Sequence, residues 1–243
     1  MVGILRLSLW AASQSRGGES RTASPGSADN QIGYHTRMPR RYFVFFTLLV
    51  SALTLAAACP QDTFEEEAGR LAELLRWRTG SVVADIGAGD GEMTLLLAER
   101  VGPTGRVFST EIDSEKLTRL EKLAAERKNI TALKAGSNET NLPPACCDSI
   151  LVRRVYHHFP KPALIGASLL ASLKPGGRLA IIDFAPREWL PDVKEDVPRD
   201  RGGHGIAPEI AIAELTAAGF QLASRHDNWP NGDYCLIFRK PGP

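Results

Sequence analysis

The fold is decided by the stretch Val82-Val83-Ala84-Asp85-Ile86-Gly87-Ala88-Gly89-Asp90-Gly91-Glu92. Its apolar first half predicts a buried strand, and the residues that follow the last glycine have the spacing of a helix. Glycine has no Cβ and accepts a positive φ, so a glycine-rich turn lets the backbone approach a ligand closely. In open α/β sheets, ligands bind in the crevice at the carboxyl ends of the strands. The stretch therefore predicts a strand, a ligand-binding turn and a helix in succession.

The spacing of the glycines bears on the ligand. A dinucleotide fingerprint requires Gly or Ala three residues after its second glycine, and here that position is Glu92. A carboxylate there would repel a pyrophosphate, which disfavours a nicotinamide-dependent oxidoreductase as the alternative function. S-adenosylmethionine carries a sulfonium and an ammonium but no phosphate, so it is compatible with acids near the turn.

The rest of the chain alternates between helix and strand, which indicates a parallel sheet covered on both faces. Helices are predicted over 65–78, 92–101, 114–127, 161–173 and 208–218. Strands are predicted over 81–86, 105–111, 131–135, 149–154, 178–184, 221–225 and 234–239. Residues 185–206 have no clear period, and a loop of that length in a compact domain is usually functional or disordered.

The Asp-x-Gly-x-Gly-x-Gly pattern at 85–91 resembles the first motif of the class I S-adenosylmethionine-dependent methyltransferases, in a type-11-like domain. Segments 148–159, 173–179 and 217–220 fit the same family in order and spacing, so the resemblance covers about 65–240. It implies a Rossmann-like, doubly wound, seven-stranded and mostly parallel sheet with its last strand antiparallel and helices on both faces. It also implies S-adenosylmethionine as the cofactor.

The resemblance implies a set of cofactor-binding residues. Asp85 and the glycine turn are expected to hold the methionine portion, and Glu111, which ends the second strand, is expected to accept hydrogen bonds from the ribose hydroxyls. Where the family commonly has an acid that reads the adenine amino group, this chain has Ser137 and Asn138, either of which offers an acceptor. The expected set is Asp85, Gly87, Ala88, Gly89, Gly91, Glu111, Ile112, Ser137, Asn138 and Arg153.

Candidate catalytic residues follow the fourth strand, near the place where the family positions its acceptor. They are Tyr156, His157 and His158, of which the histidines are candidates for a general base. The alternative interpretation is that the histidine pair only packs the loop. Arg153 and Arg154 offer charge to an anionic substrate, or are solvated.

The N-terminal sixty residues differ from the rest. Residues 1–41 are expected to be disordered or a mis-called extension; if Met38 is the true start, the 37 residues before it are an artefact of gene prediction. Residues 42–59 are uncharged and follow two arginines, as in a secretory signal, and Ala56-Ala57-Ala58-Cys59 resembles a lipobox in which Cys59 is lipidated. The expectation is an exported or membrane-associated protein. The alternatives are an uncleaved anchor on a cytoplasmic domain, or another kind of leader. The methyltransferase domain is expected over 60–243.

Composition excludes several classes of protein. The net charge is +1, made up of +4 over residues 1–59 and −3 over 60–243, which argues against nucleic acid as a partner. Four cysteines in 243 residues cannot form a disulfide scaffold. Cys146 and Cys147 are adjacent and lack metal-ligand spacing, so no metal site is expected. The predicted function is methyl transfer to a small-molecule acceptor by in-line displacement. A non-catalytic, membrane-tethered binding module is the alternative.

Overall fold

The computed structural model describes residues 64–187 and 204–242. The predictions for residues 1–59, and for most of the irregular stretch 185–206, fall outside these ranges. Within the described ranges, no helix is both long enough and apolar enough to cross a membrane.

Residues 64–187 and 204–242 form five α-helices and seven strands, mostly in alternation. The helices are α1 (Phe64–Leu75), α2 (Glu92–Val101), α3 (Ser114–Glu126), α4 (Pro162–Ser172) and α5 (Pro208–Ala217). The strands are β1 (Val82–Ile86), β2 (Arg106–Glu111), β3 (Ile130–Lys134), β4 (Cys147–Arg153), β5 (Leu173–Asp183), β6 (Gln221–Trp229) and β7 (Asp233–Arg239). Short 3₁₀ turns cover Tyr156–His158 and Pro230–Gly232.

The strands form one sheet in the order β3-β2-β1-β4-β5-β7-β6. Strands β1 to β5 pair in parallel, whereas β7 lies between β5 and β6 and is antiparallel to both. The predicted Rossmann-like sheet, mostly parallel with its last strand antiparallel, is therefore confirmed. Its carboxyl-terminal edge carries the ends of β1, β2 and β4, where a ligand site is expected in such sheets.

Two apolar clusters cover the two faces of the sheet. Alternate residues of β4 separate between them, because successive side chains of a strand point to opposite faces. Ile150 and Val152 belong to one cluster and Leu151 to the other. Helices α4 and α5 supply the first cluster with Ile165, Leu169, Ala211 and Leu215. Helices α1 and α2 supply the second with Leu71, Leu75, Leu97 and Val101.

Three element boundaries differ from the sequence-based predictions by three or more residues. Helix α1 ends at Leu75, not at residue 78, because Arg76 adopts a left-handed φ of 59°. Strand β5 begins at Leu173, five residues early, because Leu173 pairs with Cys147 before a register shift in β4. Strand β6 continues to Trp229 through a second register shift.

A buried carboxylate fastens α1 to the carboxyl-terminal edge of the sheet. Glu67 is 3% exposed, and its two oxygens accept hydrogen bonds from Arg153 Nε at 2.8 Å and Trp229 Nε1 at 2.7 Å. Arg153 ends β4 and Trp229 ends β6, so one side chain joins α1 to two strand ends. The Arg153 guanidinium also lies 4.5 Å from the ring centroid of Phe64, the first residue of α1. These contacts fix α1 over the edge where the glycine turn lies.

Replacing Glu67 with alanine is expected to cost much more stability than the same change at Glu65. Glu67→Ala leaves a partly buried guanidinium and a buried indole N–H unpaired, and breaking a buried pair in this way costs about 3–5 kcal/mol. Glu65 sits on the same helix in an ion pair with Arg100 and its side chain is 64% exposed. Such surface pairs contribute about 0–1 kcal/mol. Denaturant unfolding of both variants measures the difference, and equal losses would contradict this account of α1.

Candidate active site

The glycine turn is held by main-chain hydrogen bonds to the neighbouring strand. The N–H groups of Gly87 and Ala88 both donate to the carbonyl of Thr110 in β2, at 2.9 and 3.0 Å. The Gly91 N–H donates to the Ala88 carbonyl at 3.0 Å and closes the turn before α2 begins. The turn is therefore built against the end of β2 and is not an independent loop.

Two of the three glycines are required by packing, and the third faces open space. All three have a left-handed φ, of 68° at Gly87, 59° at Gly89 and 88° at Gly91. A Cβ at Gly87 would lie 2.6 Å from a methyl of Val155, and one at Gly91 would lie 2.5 Å from a methyl of Leu123. A Cβ at Gly89 would meet nothing within 4 Å. Gly89 thus exposes its main chain, which a ligand can approach.

A cavity of about 190 Å³ lies beside this turn. Its lining residues are Phe64, Asp85, Gly87, Ala88, Gly89, Asp90, Glu92, Met93 and Arg153. Five of the predicted cofactor residues, including Asp85 and Arg153, are among them. Phe64 and Met93 were not predicted as site residues, because α1 and the buried face of α2 give only a core pattern in the sequence.

The charges in the cavity wall favour a cationic ligand over a pyrophosphate. The wall contains the carboxylates of Asp85, Asp90 and Glu92 and one guanidinium, that of Arg153. This guanidinium is already paired with Glu67. Asp90 is paired with Arg119, so Asp85 and Glu92 are the acids that would repel a negatively charged pyrophosphate and stabilise a sulfonium or an ammonium.

Asp85 is a buried acid at the end of β1. Its Oδ2 accepts a hydrogen bond from Thr94 Oγ1 at 2.7 Å, and that hydroxyl lies 2.8 Å from Ser109 Oγ. Burial raises the pKa of Asp85 to about 6, an effect that the Thr94 hydrogen bond and the Arg153 charge partly offset. The nearby charge of Glu111 acts in the same direction as burial. Asp85 is therefore an acid whose charge the folded chain alone stabilises poorly.

Glu111 joins the end of β2 to the glycine turn. It is 7% exposed, and its Oε2 accepts the Gly89 N–H at 2.9 Å. Its Oε1 accepts the N–H groups of Ile112 and Asp113 at 2.8 and 3.1 Å. The next residue, Ile112, is 57% exposed. The predicted ribose-binding acid thus lies next to the predicted methionine-binding turn, 22 residues away in sequence.

The residues after β3 lie beside Glu111. The Ala135 N–H donates to the Glu111 carbonyl at 2.9 Å, which brings the following segment to the same edge of the sheet. In that segment Ser137 is exposed, whereas Asn138 Oδ1 is buried and has no hydrogen-bond partner in the described part of the chain. Of the two predicted acceptors for an adenine amino group, Asn138 therefore has the unused carbonyl.

The three predicted catalytic residues have different surroundings. Tyr156 is fully buried in the first core cluster, and its hydroxyl donates to Glu214 at 3.0 Å. His157 is 1% exposed, and its Nδ1 lies 2.8 Å from Asp183 Oδ1 at the end of β5. His158 is exposed, and its ring centroid lies 3.9 Å from that of His157. The structure thus separates Tyr156, a core residue, from the histidine pair.

A third histidine completes this group. The ring of His204 lies 5.1 Å from that of His157 and 5.4 Å from that of Phe184, centroid to centroid. Its pKa is lowered from the ordinary value, by partial burial and then by the charge of His157. Neither His204 nor Asp183 was predicted as a site residue. An acid that ends a buried parallel strand is a signal that would have pointed to Asp183.

Arg154 forms an ion pair with the carboxylate of Asp233. It makes two hydrogen bonds to Asp233, from Nε at 2.6 Å and from Nη2 at 2.9 Å. This contact raises the pKa of the guanidinium. Together with the Arg153–Glu67 pair, it leaves both arginines neutralised by acids of the chain and not directed at an anionic substrate.

No group of three His, Cys, Asp or Glu side chains with the geometry of a metal site occurs within residues 64–187 and 204–242. Cys147 is buried in the first core cluster and Cys146 packs against it. Burial and the neighbouring thiol raise the pKa of Cys147.

These features together define a class of protein. A strand running into a glycine turn, an acid that ends the next strand and a cavity beside both are the marks of a Rossmann-like domain that binds a nucleoside-bearing ligand. The acids in the cavity wall separate it from the dinucleotide-binding members of that class.

The chain belongs to the methyltransferase domain family, whose family model matches residues 78–212, more than half of the chain. It is 33% identical over 115 residues to the ubiquinone/menaquinone biosynthesis C-methyltransferase UbiE of Saccharophagus degradans, a match covering 46% of this chain and 46% of that protein. It is 31% identical over 169 residues to the protein-L-isoaspartate O-methyltransferase of Aeropyrum pernix, covering 66% of this chain and 61% of that protein. The chain thus spans about half to two thirds of the length of these relatives.

The fold of the chain is also similar to that of a solved structure. The crystal structure of a SAM dependent methyltransferase from Aquifex aeolicus aligns with a TM-score of 0.61 at 21% identity, over 78% of this chain and 97% of that chain. The family expected from the sequence is confirmed, and S-adenosylmethionine is the cofactor that this family implies.

The raised pKa of Asp85 predicts a pH-dependent gain from its neutral analogue. The folded-state pKa of about 6 lies above the ordinary 3.8, so this group's stabilising contribution is complete below pH 3.8 and is lost as the pH rises through about 6. Asp85→Asn is therefore expected to raise the free energy of unfolding at pH 8, by at most about 3 kcal/mol, and to change it little at pH 4. Denaturant unfolding at both pH values measures this.

Asp113→Asn is the matched control. Asp113 caps α3, and hydrogen bonds from Lys116 and Glu115 lower its pKa, so its neutral analogue gains no stability at pH 8. A gain at Asp113 equal to that at Asp85 would count against the burial argument.

Proposed function

We propose that this chain transfers the methyl group of S-adenosylmethionine to a small-molecule acceptor by in-line displacement. The observation that carries the proposal is the Glu111 carboxylate bound to the Gly89 N–H, beside a cavity walled by acids. The two relatives support the donor more than the acceptor, because one is named for a quinone pathway and the other for a protein residue.

The described residues offer a complementary group for each part of the cofactor. Asp85 and the other acids of the cavity wall suit the sulfonium and the ammonium. Oε2 of Glu111 accepts one main-chain N–H and retains acceptor capacity beyond it, which suits a ribose hydroxyl. The unused carbonyl of Asn138 suits the adenine amino group, and the exposed Ile112 offers an apolar surface for the ring.

When bound, S-adenosylmethionine supplies a methyl group activated by the sulfonium. The chain's part is then to position this group, since orientation supplies much of the catalysis in such a displacement. Glu111 holds the turn at a fixed distance from β2. Phe64 and Arg153, joined by their stacking contact, form the wall of the cavity on the α1 side.

Glu111→Gln tests the cofactor assignment. The substitution keeps the size of the side chain but removes its charge and replaces one acceptor oxygen with a donor, next to a main-chain N–H. We expect S-adenosylmethionine to bind about 10- to 100-fold more weakly, because hydrogen bonds to charged groups contribute about 1.5–3 kcal/mol. Isothermal titration calorimetry measures the affinity, and release of S-adenosylhomocysteine measures turnover.

Glu115→Gln is the control, since Glu115 is exposed in the first turn of α3. This variant should bind S-adenosylmethionine with the affinity of the unsubstituted chain. An unchanged affinity in Glu111→Gln would refute the assignment. Binding of S-adenosylmethionine with no turnover on any acceptor would favour the non-catalytic module. A thermal shift with NADH in place of S-adenosylmethionine would favour the oxidoreductase.

We also propose that residues 42–59 attach this domain to a membrane or direct its export. The support is the uncharged run after Arg40 and Arg41 and the small residues before Cys59. The alternative is an uncleaved anchor on a cytoplasmic domain, whereas a cleaved or lipidated signal would place the domain beyond the compartment where S-adenosylmethionine is made.

Mass spectrometry of the protein purified from its native cell decides between these forms. A chain beginning at Cys59 with added lipid mass indicates a lipoprotein, and Cys59→Ala then abolishes that mass. A chain that retains residues 42–59 in the membrane fraction indicates an anchor. A chain that retains them in the soluble fraction would contradict the proposal.

A further inference from the structure

We propose that Asp183 positions His157 as the base that removes the proton of a hydroxyl acceptor, such as a phenol. This inference rests on the proposed methyltransferase function and extends it to the class of acceptor. Sequence patterns indicated a histidine near this place, but not the carboxylate behind it, the ring nitrogen that faces the acceptor, or the chemistry of the acceptor.

Asp183 holds His157 in one orientation. Its carboxylate is fully buried, accepts the His157 main-chain N–H through Oδ2 at 3.1 Å and lies 2.8 Å from the ring Nδ1 through Oδ1. The Phe184 N–H also donates to Oδ1, at 3.0 Å. An ionised carboxylate only accepts hydrogen bonds, so the proton of the neutral imidazole belongs on Nδ1. The lone pair is then on Nε2.

The Nε2 atom of His157 makes no hydrogen bond within the described part of the chain. It is buried and has no hydrogen-bond partner there, although its side chain is 1% exposed. Buried polar atoms are normally hydrogen-bonded, so an unsatisfied one indicates a partner that the folded chain does not provide. The rings of His158 and His204 lie beside the His157 ring, with centroids 3.9 and 5.1 Å from its centroid. Such a site suits a ligand that brings its own hydrogen-bond donor.

The dyad of His157 and Asp183 lies at the same edge of the sheet as the cofactor cavity. Strand β4, which leads to His157, is hydrogen-bonded to β1, which leads to the glycine turn. The Gly87 main chain, which lines the cavity, packs so tightly on Val155 that no Cβ fits between them. Val155 is two residues before His157. A hydroxyl that donates to Nε2 is therefore at the carboxyl-terminal edge of the sheet, the edge that also carries the cavity.

Among nitrogen, sulfur and oxygen acceptors, hydroxyls are the class that most needs such a base. A neutral amine is already nucleophilic, and a thiol with an ordinary pKa of about 8.5 ionises readily, whereas a phenol has a pKa of about 10. The acceptor oxygen forms a bond to the methyl carbon as the sulfur–carbon bond breaks, and that electron pair stays on sulfur. The hydroxyl proton passes to His157 Nε2. The imidazolium that forms is stabilised by the Asp183 carboxylate.

The tautomer of His157 is the first test, and it needs neither acceptor nor cofactor. The full chain has five histidines, so ¹⁵N-labelled imidazoles can be assigned by single substitutions. We expect the Nδ1–H form of neutral His157, and its loss in Asp183→Asn. His226→Gln, which removes a histidine bonded to Ser224 on β6, should leave the His157 signal unchanged. An Nε2–H form in the unsubstituted chain would overturn the proposal.

Turnover with two probes of different acidity is the second test. The probes are phenol and the far more acidic 4-nitrophenol, which ionises without a base. His157→Phe keeps the ring that packs on Phe184 and is expected to lower kcat about 100-fold with phenol, within the usual range for a general base. The loss should be less than tenfold with 4-nitrophenol, and the affinity for S-adenosylmethionine should be unchanged. This variant also keeps the test open if Asp183→Asn does not fold.

Three results of the turnover test would overturn the inference. They are equal losses of kcat with both phenols, an unchanged kcat with phenol, or an unsubstituted chain that binds S-adenosylmethionine but methylates neither probe. In each of these the proposed cofactor function still stands. Failure to bind S-adenosylmethionine at all would instead refute the proposed function, while the tautomer still reports on the dyad.

Discussion

The site depends on one buried contact, between the carboxylate of Glu111 and the main-chain N–H groups around it. A glycine turn with three left-handed residues has many conformations of similar energy. Glu111 selects one of them, because its oxygens bind the turn at Gly89 and the end of β2 at Ile112 and Asp113. A carboxylate bonded to several N–H groups is stabilised in its charged form even when buried. The same side chain can therefore serve both as a structural link and as a ligand group.

Asp85 accepts fewer hydrogen bonds than Glu111. Within the described residues one hydroxyl, that of Thr94, donates to its carboxylate, and burial raises its pKa to about 6. Two acids at the ends of adjacent strands thus differ in their partners, since three main-chain N–H groups donate to Glu111. A positively charged ligand is stabilised most beside Asp85, because it offsets the loss of hydration that burial imposes on this carboxylate. The cavity is in this sense prepared for a cation before any ligand arrives.

Local sequence predicted the elements well and their long-range contacts poorly. The strand–turn–helix unit and Glu111 follow from glycine spacing and strand ends, which are properties of short stretches. The pair formed by Glu67 and Trp229, 162 residues apart in sequence, leaves no trace in any periodic pattern. The contact between His157 and Asp183 is of the same kind. Tyr156 shows the converse error, because a polar aromatic next to two histidines suggests chemistry, whereas its hydroxyl is satisfied by Glu214 within the core.

The position of β7 has a consequence for how the chain reaches its fold. This strand follows β6 in the sequence, yet it lies between β5 and β6, and six of its seven residues are buried. Until β7 has been made, β5 has an unpaired edge and β6 has no neighbour in the sheet. A nascent chain therefore carries an open, apolar edge from the time β5 is made until β7 is made, and such an edge templates aggregation. Strand β7 thus protects β5 as well as joining β6 to the sheet.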